Sequence, residues 1–174
     1  MSLFDISIIN KRVVMQDARL GTITFATTIQ DNVVKTSLDI MLWQGEYDES
    51  SLGSSISYMY TRIFDNKLEL DDFISTRKNQ GNGRLLFSYL LQILITINTQ
   101  YPIYRIHGYF SIPDSNHWNM LYHFYNTLYK CCPKQIASLD FQFQNYSHDY
   151  FIQHMEELIE KKQNIPFNIY ITYL

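Results

Sequence analysis

The chain has 174 residues, 46% of them hydrophobic and 18% charged, which suits one folded domain able to bury its core without metals or disulfides. A net charge of −3 and a pI near 5.9 supply no field to attract nucleic acid, and no apolar run is long enough to span a bilayer. The two cysteines, Cys131 and Cys132, are neighbours, which excludes a loop-closing disulfide and metal-ligand spacing; with no secretory signal visible, the expected location is a reduced cytoplasm.

Residues 3–9 read as a first strand, and Lys11-Arg12 breaks the pattern before Val13, Val14 and Met15. Runs 21–30 and 33–43 are β-rich and joined by Asp31-Asn32, a two-residue hairpin signal, so the front half of the chain is predicted to be sheet. Residues 44–55, with Gly45, Gly53 and several Ser, Asp and Glu, form the best loop candidate. The next run, 56–64, alternates apolar and polar and meets a strand at 67–74 through Asp65-Asn66.

A glycine turn at 81–83 follows, then an apolar run over 85–97 that reads as a helix buried on most sides. Pro102 ends that connection and 104–110 is the next strand, so strand, helix and strand predict a parallel pair with a right-handed crossover. A helix is expected to start just after Pro113, with Trp118, Leu121, Tyr122, Tyr125, Leu128 and Tyr129 at helical spacing. The tail reads as a strand at 138–144, an amphipathic helix at 150–162 with a Glu157–Lys161 pair, and a last strand at 167–174. The expected fold class is α+β, a single domain over 1–174 with a mixed β-sheet flanked by helices.

Lys78-Asn79-Gln80-Gly81-Asn82-Gly83-Arg84 is the segment that points to chemistry. Glycines between a strand and a helix let an anion approach backbone amides at the positive end of the helix dipole. Leu86 stands where a dinucleotide fold needs a third glycine, and no Gly-Lys-Ser/Thr is present for a nucleoside triphosphate. The segment resembles the acyl-coenzyme A signature of the GNAT superfamily of N-acetyltransferases, Gln/Arg-x-x-Gly-x-Gly/Ala before an apolar helix, with Lys78 in the Arg position. A looser likeness lies downstream. Asp114-Ser115-Asn116-His117-Trp118 is similar to the family's Asn-bearing helix start, and Phe124-Tyr125 to its aliphatic-Tyr pair, although Tyr129-Lys130 replaces Gly-Phe.

The resemblance implies a GNAT-like domain with acetyl-CoA as co-substrate. Backbone groups of Phe73 and Ser75 would then take the pantetheine arm, Lys78, Gln80, Gly81, Asn82, Gly83 and Arg84 the pyrophosphate, and Asn116 would support the same ligand. It also implies Tyr125 as general acid toward the leaving sulfur. For the base that accepts the amine proton, the strand pattern offers Glu69 and Asp71, which share one face, with Asp72 behind them. Solvent-facing carboxylates and a core tyrosine explain the same residues without catalysis.

Two regions depart from the family pattern: 13–43 reads as sheet where helices are normal, and the helix before the last strand is additional. Both affect the acceptor side. The five histidines show no ligand spacing, so no metal is expected, and His107, on the strand after the glycine helix, reads either as a residue approaching the cleft or as a satisfied sheet histidine, the reading preferred here. Glu46, Asp48 and Glu49 favour a cationic acceptor, an unidentified amine. The competing readings are a GNAT-fold module that binds or self-associates, as a homodimer for example, without turnover, and a plain turn in a structural protein with no coenzyme. No nucleic acid or membrane partner is expected.

Overall fold

Residues 12–31, 36–45, 55–75 and 81–174 are described in a computed structural model of the chain, which divides into two units, Met1–Ile103 and Tyr104–Leu174. Each combines strands with helices, so the chain is α+β, as the sequence predicts. The strand expected at 3–9, Asn32 of the 31–32 turn and most of the 44–55 loop lie outside the described residues, as do Glu46, Asp48 and Glu49.

The first unit is an antiparallel meander of β1 (Arg12–Asp17), β2 (Gly21–Asp31), β3 (Thr36–Gln44), β4 (Ser55–Phe64) and β5 (Lys67–Ser75). The expectation of sheet through this region holds. Asp65 and Asn66 join β4 to β5 with φ of 51° and 58°, the left-handed pair that a tight hairpin of this twist needs. The tip is tied down. The Asn66 amide donates to the Tyr101 hydroxyl at 3.1 Å, and its Nδ2 to the Pro102 carbonyl at 2.7 Å.

Helix α1 (Asn82–Ile97) packs on β3, β4 and β5. Leu86, Phe87, Leu90, Leu91, Leu94 and Ile97 are buried against Leu38, Ile40, Met59, Ile63 and Leu68, residues that alternate along their strands and so share one face of the sheet. Phe25 of β2 stacks on Tyr89 with centroids 4.1 Å apart and planes 7° from parallel, which couples the second strand to the helix as well.

In the second unit β8 (Ile165–Tyr173) lies between β6 (Arg105–Phe110) and β7 (Ile136–Phe143), antiparallel to both. Its core is aromatic. Phe110 has the rings of Trp118, Phe143, Phe151 and Phe167 within 6.1 Å of its own, centroid to centroid. The helix expected right after Pro113 begins later. Residues Ile112–His117 form a 3-10 turn, α2 spans Trp118–Asn126, and a second 3-10 turn covers Leu128–Cys131. Thr127 interrupts the periodic run because its hydroxyl donates back to the carbonyls of His123 and Phe124, competing with the next helical turn.

The amphipathic run at 150–162 is likewise two short helices, α3 (His148–Gln153) and α4 (Met155–Glu160). The break falls at His154, whose ring Nδ1 donates to the Tyr150 carbonyl while its amide does the same. Lys161 lies past the end of α4, and the expected Glu157–Lys161 ion pair is absent.

Gly108 and Phe167 face each other across the β6–β8 ladder, and a Cβ on Gly108 would stand 2.7 Å from Cζ of a ring that is 1% exposed. Gly108→Ala should therefore destabilise the protein by about 1–3 kcal/mol through overpacking. Urea midpoints check this, and Gly108→Ala combined with Phe167→Leu should recover part of the loss.

Candidate functional site

The start of α1 has an unusual make-up. Gly81 precedes it with φ 72° and ψ 9°, a left-handed conformation that strains any residue bearing a side chain, and no side chain caps the helix. The first intrahelical bond runs from the Leu85 amide to the Gly81 carbonyl at 3.1 Å, so the helix itself offers no acceptor to the amides of Asn82 and Gly83. The first turn contains no acid to balance the positive pole.

A cation lies there instead. Arg19 Nη2 donates to Asn82 Oδ1 at 2.9 Å, and the guanidinium carbon is 3.8 Å from where a Gly81 Cβ would stand. The β1–β2 turn fixes the base of this arm: Asp17 Oδ1 accepts the amides of Arg19 at 2.9 Å and Leu20 at 2.8 Å. Those two bonds, Leu20 first, hold the Asp17 carboxyl below its ordinary range. Asn82 is 1% exposed, its oxygen is taken by Arg19, and its Nδ2 has no partner among the described residues.

Of the residues assigned to the pyrophosphate, Gly81, Asn82, Gly83 and Arg84 are at this helix start, while Lys78 and Gln80 lie outside the described residues. Phe73 and Ser75 end β5. Phe73 pairs with Met59 in the ladder and sets its ring 6.2 Å from that of Phe87 on α1; Ser75 pairs with Ser57.

Glu69 and Asp71 also fall on β5, and both are engaged by cations. Lys67 Nζ is 2.8 Å from Glu69 Oε1, and Arg62 grips Asp71 with two bonds of 2.6 and 2.7 Å. A bulge makes the second pair possible. Tyr60 pairs with Asp72 and Thr61 with Leu70, leaving Asp71 as the extra residue, within reach of Arg62. Asp39, which the strand pattern did not single out, pairs with Tyr60 across the β3–β4 ladder, and its carboxyl is pushed up by burial and then by Asp71.

In the second unit Tyr125 sits on α2, 7% exposed, against Phe110, Phe141 and Phe167. Burial pushes its phenol well above the ordinary range, with Asp114 adding to the effect. It borders a cavity of about 290 Å³ that Tyr129, Asp140, Gln142 and His148 also line. Asn116 is exposed in the 3-10 turn before α2. His107 Nδ1 donates to Asn168 Oδ1 at 2.9 Å inside the β6–β8 ladder, the satisfied sheet histidine of the sequence reading. Among the described residues no cluster of three or more His, Cys, Asp or Glu could hold a metal, and no helix is long and apolar enough to cross a membrane.

Sequence reasoning missed Arg19 and Asp39. Asp17 and Gly21 are turn-type residues, but nothing local ties Arg19 to a residue 63 positions away. Asp39 left a fainter trace, the one charged residue of its strand, flanked by Leu38 and Ile40.

No protein-family model matches the chain, and no curated protein matches it. Solved structures do. A protein assigned as a streptothricin acetyltransferase from Bacillus anthracis, in complex with acetyl coenzyme A, is 11% identical with a TM-score of 0.43, covering 95% of this chain and 88% of that one. The ribosomal-protein-S18-alanine N-acetyltransferase from Escherichia coli is 10% identical with a TM-score of 0.42 over 83% of this chain and 73% of its own. A spermidine N-acetyltransferase chimera from Vibrio cholerae is 14% identical with a TM-score of 0.42 over 78% and 67%. At these values the likeness carries no argument about activity or substrate.

The Asp39 environment has a measurable consequence. A carboxyl whose folded pKa is raised contributes stability that is present below its unfolded pKa and lost as pH rises through the folded one. Asp39→Asn should therefore raise the urea midpoint at pH 7, and the gain should disappear near pH 3, where the native carboxyl is already protonated.

Proposed function

We propose that the chain is an acyl-coenzyme A-dependent N-acyltransferase that moves an acetyl group from acetyl-CoA to an amine. The observation that carries this reading is the helix start at Gly81–Asn82, where helix amides, the Arg19 guanidinium and the buried Asn82 Nδ2 are all hydrogen-bond donors and the Asn82 oxygen is already used. Such a cluster calls for an anion with several acceptor oxygens. A diphosphate meets that need, and the segment around it carries the GNAT likeness read from the sequence.

In this reading Phe73 and Ser75 backbone groups take the pantetheine arm, and Lys78 and Gln80 join Gly81 to Arg84 on the diphosphate, with Asn116 in support. The amine nitrogen attacks the thioester carbonyl, the C–S bond breaks, and the amine proton passes to a carboxylate. Tyr125 gives its hydroxyl proton to the leaving thiolate; the phenol is protonated at neutral pH, and the burial that raises its pKa makes this transfer depend on a sulfur equally shielded from water. Glu69 and Asp71 remain the strand candidates for the base, and the half-buried Asp39 has the surroundings that suit one. The same reading puts the protein in the cytoplasm.

A second reading, a GNAT-fold module that binds acyl-CoA or self-associates without turnover, is favoured by one observation: Glu69 and Asp71 are both held in ion pairs. Acetyl-CoA at about 100 times its dissociation constant should stabilise the protein by about 2.7 kcal/mol, a rise in Tm of about 5–10 °C for a chain of this size. An enzyme should also release free thiol with a library of amines, and Tyr125→Phe should lower that turnover by about a hundredfold while the thermal shift persists. A shift without thiol release selects the acyl-CoA-binding module; no shift rejects both the enzyme and that module and leaves self-association alone.

A further inference from the structure

We propose that Arg19 is a phosphate-positioning residue: the β1–β2 turn lends its guanidinium to the start of α1, where it exchanges the Asn82 oxygen for oxygens of the diphosphate when the acyl carrier binds. This rests on the acyl-CoA reading above. Arg19 comes from a turn remote in sequence from the glycine segment, and no signature residue assigns it a part.

The donor balance is the first argument. A guanidinium has five N–H donors and no acceptor, and a carboxamide contributes one oxygen and two N–H groups. Asn82 spends its oxygen on Arg19 and is left with a buried Nδ2 that has no partner among the described residues, its side chain turned toward the guanidinium that covers Gly81. The amides of Asn82 and Gly83 add two more donors that the helix cannot use. The group that completes this cluster brings acceptors only.

Charge is the second. A guanidinium over the positive end of a helix is of the wrong sign, and an anion between them makes both fields attractive. Geometry is the third: with the Asp17 carboxylate accepting the amides of Arg19 and Leu20, the root of the arm is fixed, and only the exposed side chain has to move. A fork of parallel N–H groups matches two phosphate oxygens at once.

The test is equilibrium binding of three probes to the full chain: acetyl-CoA, its 3′-dephospho form, and S-acetylpantetheine, which keeps the thioester but lacks the diphosphate. Arg19→Ala should weaken the first two by an equal factor of about 10–100 and leave S-acetylpantetheine unchanged. Arg19→Lys should restore part of the affinity as a point charge, and in the acyl-transfer assay the loss should fall on KM with kcat moved far less. Asn82→Asp separates binding from structure: the new carboxylate suits the helix pole and pairs with Arg19, so thermal stability should hold or rise while acetyl-CoA binds more weakly.

Wild-type affinity for acetyl-CoA in Arg19→Ala or in Asn82→Asp would overturn the assignment. A loss confined to acetyl-CoA and spared in the dephospho form would overturn it too, by moving the contact to the 3′-phosphate. A wild-type protein that binds none of the probes would instead overturn the acyl-CoA reading itself, and this inference with it.

Discussion

The bond from Arg19 to Asn82 holds together an arrangement that electrostatics alone would push apart. With about half a charge at the helix pole and one on the guanidinium some 4 Å away, the repulsion is about 0.5 kcal/mol in water-like surroundings and about 2 kcal/mol at an effective dielectric of 20. A hydrogen bond from a charged donor returns about 1.5–3 kcal/mol. The bond outweighs the repulsion in water-like surroundings and about matches it at the higher figure. An anion reverses the sign of the first quantity while offering the guanidinium better acceptors than a neutral carboxamide.

The rest of the first unit can be understood as what brings this pair into register. Each strand of the meander is laddered to the next, and α1 lies across β3, β4 and β5 with Tyr89 stacked on Phe25 of β2. The stack fixes how far along the sheet the helix sits. At the other end of α1, the hairpin tip holds Tyr101 and Pro102 through Asn66. With the helix pinned at its far end and clasped in the middle, its start meets the β1–β2 turn without any capping side chain of its own.

Local features of this design were legible in the chain. Asp65-Asn66 declared a tight turn because only residues tolerant of positive φ serve there, and residues 85–97 declared a helix because a run that apolar has nowhere to go except against a sheet. Features that depend on distant partners were not. The tie between Arg19 and Asn82 requires the register of five strands, and the grip of Arg62 on Asp71 depends on a one-residue bulge that no alternation pattern announces. The break at His154 was hidden for a different reason: apolar spacing continues through it, and only the bond from the imidazole to the Tyr150 carbonyl shows how a side chain competes with the helix.

Tyr125 shows how packing bears on chemistry in the second unit. Its ring is one of the aromatic group around Phe110, and removing that much ring surface from water is a sufficient structural reason for a tyrosine at this position. The same burial penalises the phenolate, so the hydroxyl keeps its proton throughout the neutral range and cannot act as a base there. What remains is donation. A phenol so placed gives a hydrogen bond readily to a departing sulfur, and because ordinary thiols are stronger acids than this phenol, full proton transfer requires a sulfur equally shielded from water. Packing and hydrogen-bond donation therefore make the same demand on the residue, a ring buried in the core with a hydroxyl that stays protonated.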